Sequence, residues 1–80
     1  MLKELKKAVH VSGLKQTSRA VRDGKAKRVY IARDASFMLV QPLRALCEEQ
    51  GIPVEEVRTM RELGAACGLQ VGAAAVAEIG

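Results

Sequence analysis

The spacing of apolar and polar positions alternates between a helical and a strand period along the whole chain. Leu2, Leu5 and Val9 recur at helical spacing with lysines between them, which predicts a short helix over residues 2–8. Val9-His10-Val11 then reads as a short strand or extended link, and Ser12-Gly13 starts a new element with Ser12 as its expected N-cap. The clearest amphipathic helix is predicted over residues 14–23. Leu14, Thr17, Ala20 and Val21 share one side, and Lys15, Gln16, Arg19 and Arg22 share the other, because spacings of three and four return to the same face. Gly24 supplies a C-terminal cap.

Arg28-Val29-Tyr30-Ile31-Ala32-Arg33 is rich in β-branched and aromatic residues, hence a strand. It is apolar on both faces over Val29 to Ala32, as a strand covered on both sides requires. Asp34-Ala35-Ser36 is a loop. A second helix is expected from about Leu39 to Gln50, with Pro42 tolerable only near its first turn and Gly51 at its end. Pro53 to Val57 reads as a weaker strand nearer an edge. Thr59 and Glu62 fit a capping box, opening a helix that ends at Gly68. Leu69-Gln70-Val71-Gly72 is a loop, and Ala73 to Ile79 is the final strand. This succession predicts one α/β layered domain over residues 1–80, with a largely parallel or mixed sheet and no internal repeat, linker or low-complexity segment.

Composition narrows the function. Apolar residues make up 49% of the 80, mostly Ala, Val and Leu, which suits thin, closely packed layers. The 13 basic and 9 acidic residues give a net charge of +4, a balance compatible with a polyanionic partner and also with simple solubility. Cys47 and Cys67 form no CxxC pair, so a zinc ribbon or redox motif is not supported, and buried free thiols in a reducing cytosol are expected. The charged N-terminus has no apolar stretch behind it of the kind a secretory signal needs, and no run approaches the ~20 residues that span a bilayer.

Catalytic chemistry finds no support. The single histidine, His10, has no visible tie to a nucleophile and reads as a partly exposed residue on a short strand. Glu48-Glu49 and Glu55-Glu56 read as solvated faces. Gly64, Gly68 and Gly72 lack the strand-loop-helix context of a nucleotide motif, since Gly64 falls inside a helix. No enzyme, cofactor or metal site is expected.

Two features point to binding instead. Gly13-Leu14-Lys15-Gln16-Thr17-Ser18-Arg19 places two cations and an amide on the exposed face of the strongest helix, beginning at its N-terminus. There, free N–H groups and the positive dipole end suit phosphates. Lys15 and Gln16 can also reach base edges. The same residues describe an ordinary solvated helix face, which physical grounds alone favour slightly. The loop Leu69-Gln70-Val71 sets two aliphatics around a polar residue. They could pack on an unstacked base, or turn inward as a plug beneath the helix C-cap.

Four stretches, in order, resemble a known family: Gly13-Leu14-Lys15-Gln16-Thr17; Val29 to Ala35; Leu46-Cys47-Glu48 with Gly51-Ile52-Pro53-Val54; and Leu63 through Ala74. Together they are similar to the ribosomal proteins L-seven-Ae and L-thirty-e, and most of all to short bacterial members that bind kink-turn RNA. The resemblance runs from about Gly13 to Ile79, and its last motif is the most specific. It implies an L-thirty-e-like three-layer α-β-α sandwich with a four-stranded mixed sheet. It also implies recognition of the kink-turn, an RNA helix bent at a three-nucleotide bulge beside tandem sheared G·A pairs. By position, the helix N-terminus at Gly13 would enter the widened groove. Lys15, Gln16 and Arg19 would take base and phosphate contacts, and Leu69, Gln70 and Val71 would cover a flipped nucleotide. Lys27, Arg28 and Arg33 would be outer phosphate contacts. Archaeal and eukaryotic members usually carry Asn-Glu at positions 15–16, and many members carry Glu at position 70. The Lys15-Gln16 pair is typical of the bacterial branch. The expectation is thus a monomeric, cytoplasmic RNA-binding domain, with the ribosome, another transcript or a riboswitch supplying the RNA. The alternative is a protein-interaction accessory of the translation machinery that keeps the fold without binding kink-turns.

Overall fold

Val29 and Ile31 point to one side of a strand, Tyr30 and Ala32 point to the other, and all four are buried. Such a strand is stable only when both faces are covered. The computed structural model, which describes Leu5 and residues 7–80, covers both. Its elements are β1 (His10–Ser12), α1 (Leu14–Arg22), β2 (Ala26–Ala32), α2 (Phe37–Gln50), β3 (Val54–Val57), α3 (Met60–Ala66) and β4 (Ala75–Ile79). The four strands form one sheet in the order β1-β4-β2-β3. β4 is antiparallel to both β1 and β2, whereas β2 and β3 are parallel, so the sheet is mixed.

Alternation along the strands divides the core into two layers. Val29, Ile31, Ala75 and Ala77 face α1 and α2, meeting Ala20, Val21, Val40, Leu43 and Cys47. Tyr30, Ala32 and Val76 face the opposite side, where Leu5, Val57, Leu63, Cys67 and Ala73 close over them. The result is the expected three-layer sandwich. The small side chains of β4, Ala75 and Ala77, let α1 lie close to the sheet. The helix expected over residues 2–8 falls mostly outside the described residues, although Leu5 itself is helical and buried.

Several boundaries differ from expectation for identifiable reasons. Ser12 does not cap α1; it closes β1, and Gly13 takes the cap position with φ 97°. The Gly13 N–H donates to Ala75 O at 2.8 Å, so the ladder runs one residue further before the chain turns. Only glycine makes that left-handed turn without strain. β2 begins at Ala26 rather than Arg28, with a bulge between Ala26 and Arg28, and β4 begins at Ala75 rather than Ala73. α2 starts at Phe37, two residues early, because the Ser36 carbonyl already accepts from Leu39 and Val40 at 3.0 and 3.1 Å. Pro42 therefore stands in the second turn, inside the helix, on an exposed face. α3 ends at Ala66, and Gly68 follows in the left-handed region with φ 79°.

One consequence of the topology positions the candidate site. β1, β2 and β3 run the same way, and each is followed by a helix. The N-termini of α1, α2 and α3 therefore gather at one end of the sheet, where β4 also begins.

Candidate nucleic-acid interface

The three helix starts at this end are not equivalent. The N-terminus of α3 is satisfied from within. Thr59 Oγ1 accepts from the Glu62 N–H at 3.0 Å, Asp34 Oδ1 accepts from the Met60 N–H at 2.7 Å, and Glu62 adds a carboxylate to the first turn. The Glu62 side chain then pairs with Arg58 at 3.2 Å. By contrast, neither α1 nor α2 has a side-chain cap or an acidic residue in its first turn. At α1 the cap residue is a glycine, so its first-turn N–H groups lack a side-chain acceptor, and Lys15 and Gln16 stand exposed beside them. Such an end attracts anions through its dipole and its unpaired donors.

The loop expected to contribute is held beside this end by two glycines. A Cβ on Gly64, inside α3, would collide with the Val71 carbonyl oxygen and would lie 3.0 Å from Gly72 Cα. A Cβ on Gly72 would in turn press on Met60 at 3.2 Å. The loop thus lies flat on α3, and it leaves through Ala73 N–H to Met60 O (3.0 Å) and Ala32 N–H to Ala74 O (2.9 Å). Its two aliphatics divide. Leu69 turns inward against the Tyr30 layer, with its N–H on Gly64 O at 2.9 Å. Val71 is 72% exposed, and Gln70 is exposed beside it. Leu69 is the plug, so the exposed part of the turn is Gln70 and Val71.

The cations expected from sequence also divide. Arg19 is exposed one turn further along α1 from Lys15. Arg33 follows β2 at the same end of the sheet as Gly13, but shares the Glu56 carboxylate with Arg44, at 3.7 and 3.2 Å. Lys27 and Arg28 lie at the other end. Arg28 stands opposite Glu78 in the ladder, whereas Gly13 bonds Ala75. Three residues of strand, about 10 Å, separate the two positions. Lys27 Nζ is 3.9 Å from Glu78 Oε2. The Arg28 guanidinium has its pKa raised, first by a hydrogen bond to Tyr30 and then by nearby negative charge. Tyr30 donates to Glu78 Oε1 at 3.3 Å; burial is the main cause that raises its pKa, with the Glu78 carboxylate adding and Arg28 opposing.

Two features of this end had no reading in the sequence. Asp34 caps a helix that starts 26 positions later, a link with no local signal. Phe37, Met38 and Leu39 are 65%, 79% and 63% exposed. Three consecutive apolar residues in a helix fan over some 200° and cannot all face one core, which was the available clue. Elsewhere, His10 is half-buried with Nδ1 2.9 Å from Ala8 O. Cys47 and Cys67 are buried free thiols, as expected. Among the described residues, no group of His, Cys, Asp and Glu could hold a metal, and no helix is long and apolar enough to cross a membrane.

Comparison with known proteins follows the same lines as the geometry. The sequence model of the ribosomal protein L7Ae/L30e/S12e/Gadd45 family matches residues 1–80. The chain belongs to this family. An RNA-binding protein of Caldanaerobacter subterraneus subsp. tengcongensis is 46% identical over 69 residues, covering 86% of this chain and 84% of that one. The RNA-binding protein YbxF of Geobacillus stearothermophilus is 46% identical over 67 residues, covering 84% and 82%. Among solved structures, the Giardia lamblia 15.5kD RNA binding protein superposes with a TM-score of 0.90 at 28% identity, over 99% of this chain and 70% of that one. These names describe ribosomal and RNA-binding proteins rather than enzymes, and the expectation of a non-enzyme rests on them. The L7Ae/L30e fold is therefore the frame for the uncapped start of α1.

Proposed function

We propose that this L7Ae/L30e-family chain is a single RNA-binding domain that recognises and stabilises kink-turn RNA. The observation that carries the reading is the start of α1. It has no side-chain cap and no carboxylate in its first turn, and it is flanked by exposed Lys15 and Gln16. The exposed Gln70-Val71 turn sits at the same end of the sheet. The names of the relatives support RNA as the ligand class.

In this reading Gly13 lets the RNA backbone approach the helix end, Lys15 and Arg19 take phosphates or base acceptors, and Gln16 reads the G·A edges. Val71 and Gln70 cover a flipped nucleotide while Leu69 fixes the turn from below. Arg33 is an outer contact. Lys27 and Arg28 would meet only RNA that extends past the far end of the sheet. The protein acts by population shift. A kink-turn exchanges between extended and bent forms, and a protein that touches only the bent one favours it by its differential affinity. Phosphate neutralisation makes that affinity fall with salt. The working form is a cytoplasmic monomer, with ribosomal RNA among its candidate targets.

A second reading has one observation behind it. The exposed Phe37-Met38-Leu39 triplet fits a protein-interaction accessory of the translation machinery. An electrophoretic shift decides between them, comparing a consensus kink-turn with the same RNA carrying Watson–Crick pairs in place of G·A, at fixed salt. Tight binding to the first and weak binding to the second supports kink-turn recognition. Equal binding reduces the reading to a basic surface, and no binding to either favours the protein partner. Charge reversal at Arg19 should abolish the RNA complex and spare a protein contact elsewhere.

A further inference from the structure

A groove of about 200 Å³ runs between the outer side of α1 and the β1 edge of the sheet. Its floor is apolar, formed by Val11, Ala20 and Ile79, and its rim is Gln16, Arg19, Asp23 and Lys25. The far end is fixed by the backbone. The Gly80 N–H donates to Lys25 O at 3.3 Å and the Ile79 N–H to Val9 O at 2.8 Å. Lys25 is thereby set beside the strand ends, and its side chain is exposed.

The net charge of this region is positive. α1 carries Lys15, Arg19 and Arg22 and no carboxylate. Lys25 follows, and Asp23 is the one acid in residues 13–25, so Arg19, Arg22, Lys25 and Asp23 sum to +2. None of the four cations is in an ion pair among the described residues, whereas Lys27, Arg33, Arg44 and Arg58 all are. The opposite edge of the molecule is acidic, with Glu48 and Glu49 at the end of α2 and Glu55 and Glu56 on β3. Residues 13–25 thus carry a net charge of +3, from Lys15, Arg19, Arg22 and Lys25 against Asp23. From Lys15 to Arg22 the helix rises about 10 Å, close to three phosphates of one RNA strand.

We propose that the groove and the face of α1 beside it form a second RNA-contact surface, in which Lys25 on the groove rim and Arg22 on the adjacent face of α1 hold backbone phosphates of the helix flanking the kink. It continues the first surface through Gln16 and Arg19, which belong to both, and it rests on the kink-turn reading. The apolar floor accepts the sugar edge of the strand, with Arg19 and Lys25 on the rim and Arg22 on the neighbouring face of α1 toward the phosphates. The family resemblance implied outer phosphate contacts at Lys27, Arg28 and Arg33. The uncompensated charge on the groove rim and beside it gives that role to Lys25 and Arg22.

The test is the salt dependence of binding to a consensus kink-turn RNA with long flanking helices. It compares the wild type, the double variant R22Q/K25Q and R44Q, whose lost charge lies on the acidic side. Each phosphate contact contributes roughly 0.9 to the slope of log K against log salt. The double variant should therefore lose about two from the slope while R44Q leaves it unchanged. The loss should vanish on RNA whose flanking helices are trimmed to the shortest that keeps the kink. An unchanged slope for R22Q/K25Q, with the wild type still selective for G·A pairs, overturns the groove and leaves the kink-turn reading standing. An equal loss per charge from R44Q, or a loss that persists on trimmed RNA, also overturns it. Failure of the wild type to bind the kink-turn at all removes both.

Discussion

Gly64 and Val71 touch so closely that the helix of one has no room for a side chain beneath the carbonyl of the other. In an open helix, alanine would be better than glycine by roughly 0.5–1 kcal/mol. Here the obstacles are backbone atoms of Val71 and Gly72, which cannot swing aside as a flexible side chain would. Overpacking of this kind costs ~1–3 kcal/mol, so the clash outweighs the helix propensity. Gly64→Ala should lower the urea midpoint and lift the Gln70-Val71 turn, weakening RNA binding beyond what the lost stability explains. A variant of unchanged midpoint would mean that the loop yields without cost.

The start of α3 invites a paired measurement. Asp34 accepts from Met60 N–H and Thr59 from Glu62 N–H, two different orphan donors of one helix end. Removing a capping acceptor costs about 1 kcal/mol. Asp34→Ala and Thr59→Ala should each destabilise by that amount in chemical denaturation. Because Asp34 also ties the loop after β2 to α3, its loss should additionally speed amide exchange around residues 33–36, whereas Thr59→Ala should not.

Those contrasts also mark what a sequence can reveal. The period-two burial of Val29 to Ala32 and the three-four spacing of α1 are local, and they gave the layers and the basic face directly. The Thr59 cap is local too, with its acceptor and donor three positions apart. The Asp34 cap, the Gly64 approach to the loop and the groove between Arg19, Lys25 and Ile79 join residues distant in the chain, and no spacing encodes them. Pro42 misled for the opposite reason. A local rule set the helix start near it, and the Ser36 carbonyl, already bonded to Leu39 and Val40, overrode the rule. The family resemblance set Lys27 and Arg28 among the outer phosphate contacts, and strand direction separates them from the start of α1 by the length of the sheet.

Alkaline pH should destabilise the protein in a defined order. Burial raises the Cys47 and Cys67 thiols above their ordinary 9.0 and, as the main cause, Tyr30 above its ordinary 10.0. All three are neutral when protonated, so the folded state keeps protons that the unfolded chain gives up. Their contribution is complete below about pH 9 and is lost as pH rises from there through the folded values. The melting temperature should fall above pH 9, and more steeply above 10. Tyr30→Phe should flatten the second part of that decline, at a cost near 1 kcal/mol at neutral pH for the lost hydrogen bonds. In mildly alkaline buffer the native thiols should resist an aromatic disulfide reagent until denaturant is added. Rapid labelling of the native protein would show that the core opens far more readily than its packing implies.

Lys15 and Gln16 are neighbours on α1, and the kink-turn reading gives them separable tasks. Lysine is a point charge with three donors and no acceptor; the glutamine amide can donate and accept at once. If Lys15 neutralises a phosphate, Lys15→Gln should weaken binding on every RNA about equally and reduce the salt slope by roughly one. If Gln16 reads a base edge, Gln16→Ala should leave the slope intact. It should instead cut the preference for G·A over Watson–Crick pairs, by the ~1–3 kcal/mol that a good base contact supplies. Titrating both variants against both RNAs at several salt concentrations separates the effects in one experiment. Exchange of the two signatures would place the phosphate at Gln16 and the base at Lys15. Loss of neither would leave the start of α1 a solvated helix end and move recognition to the Gln70-Val71 turn.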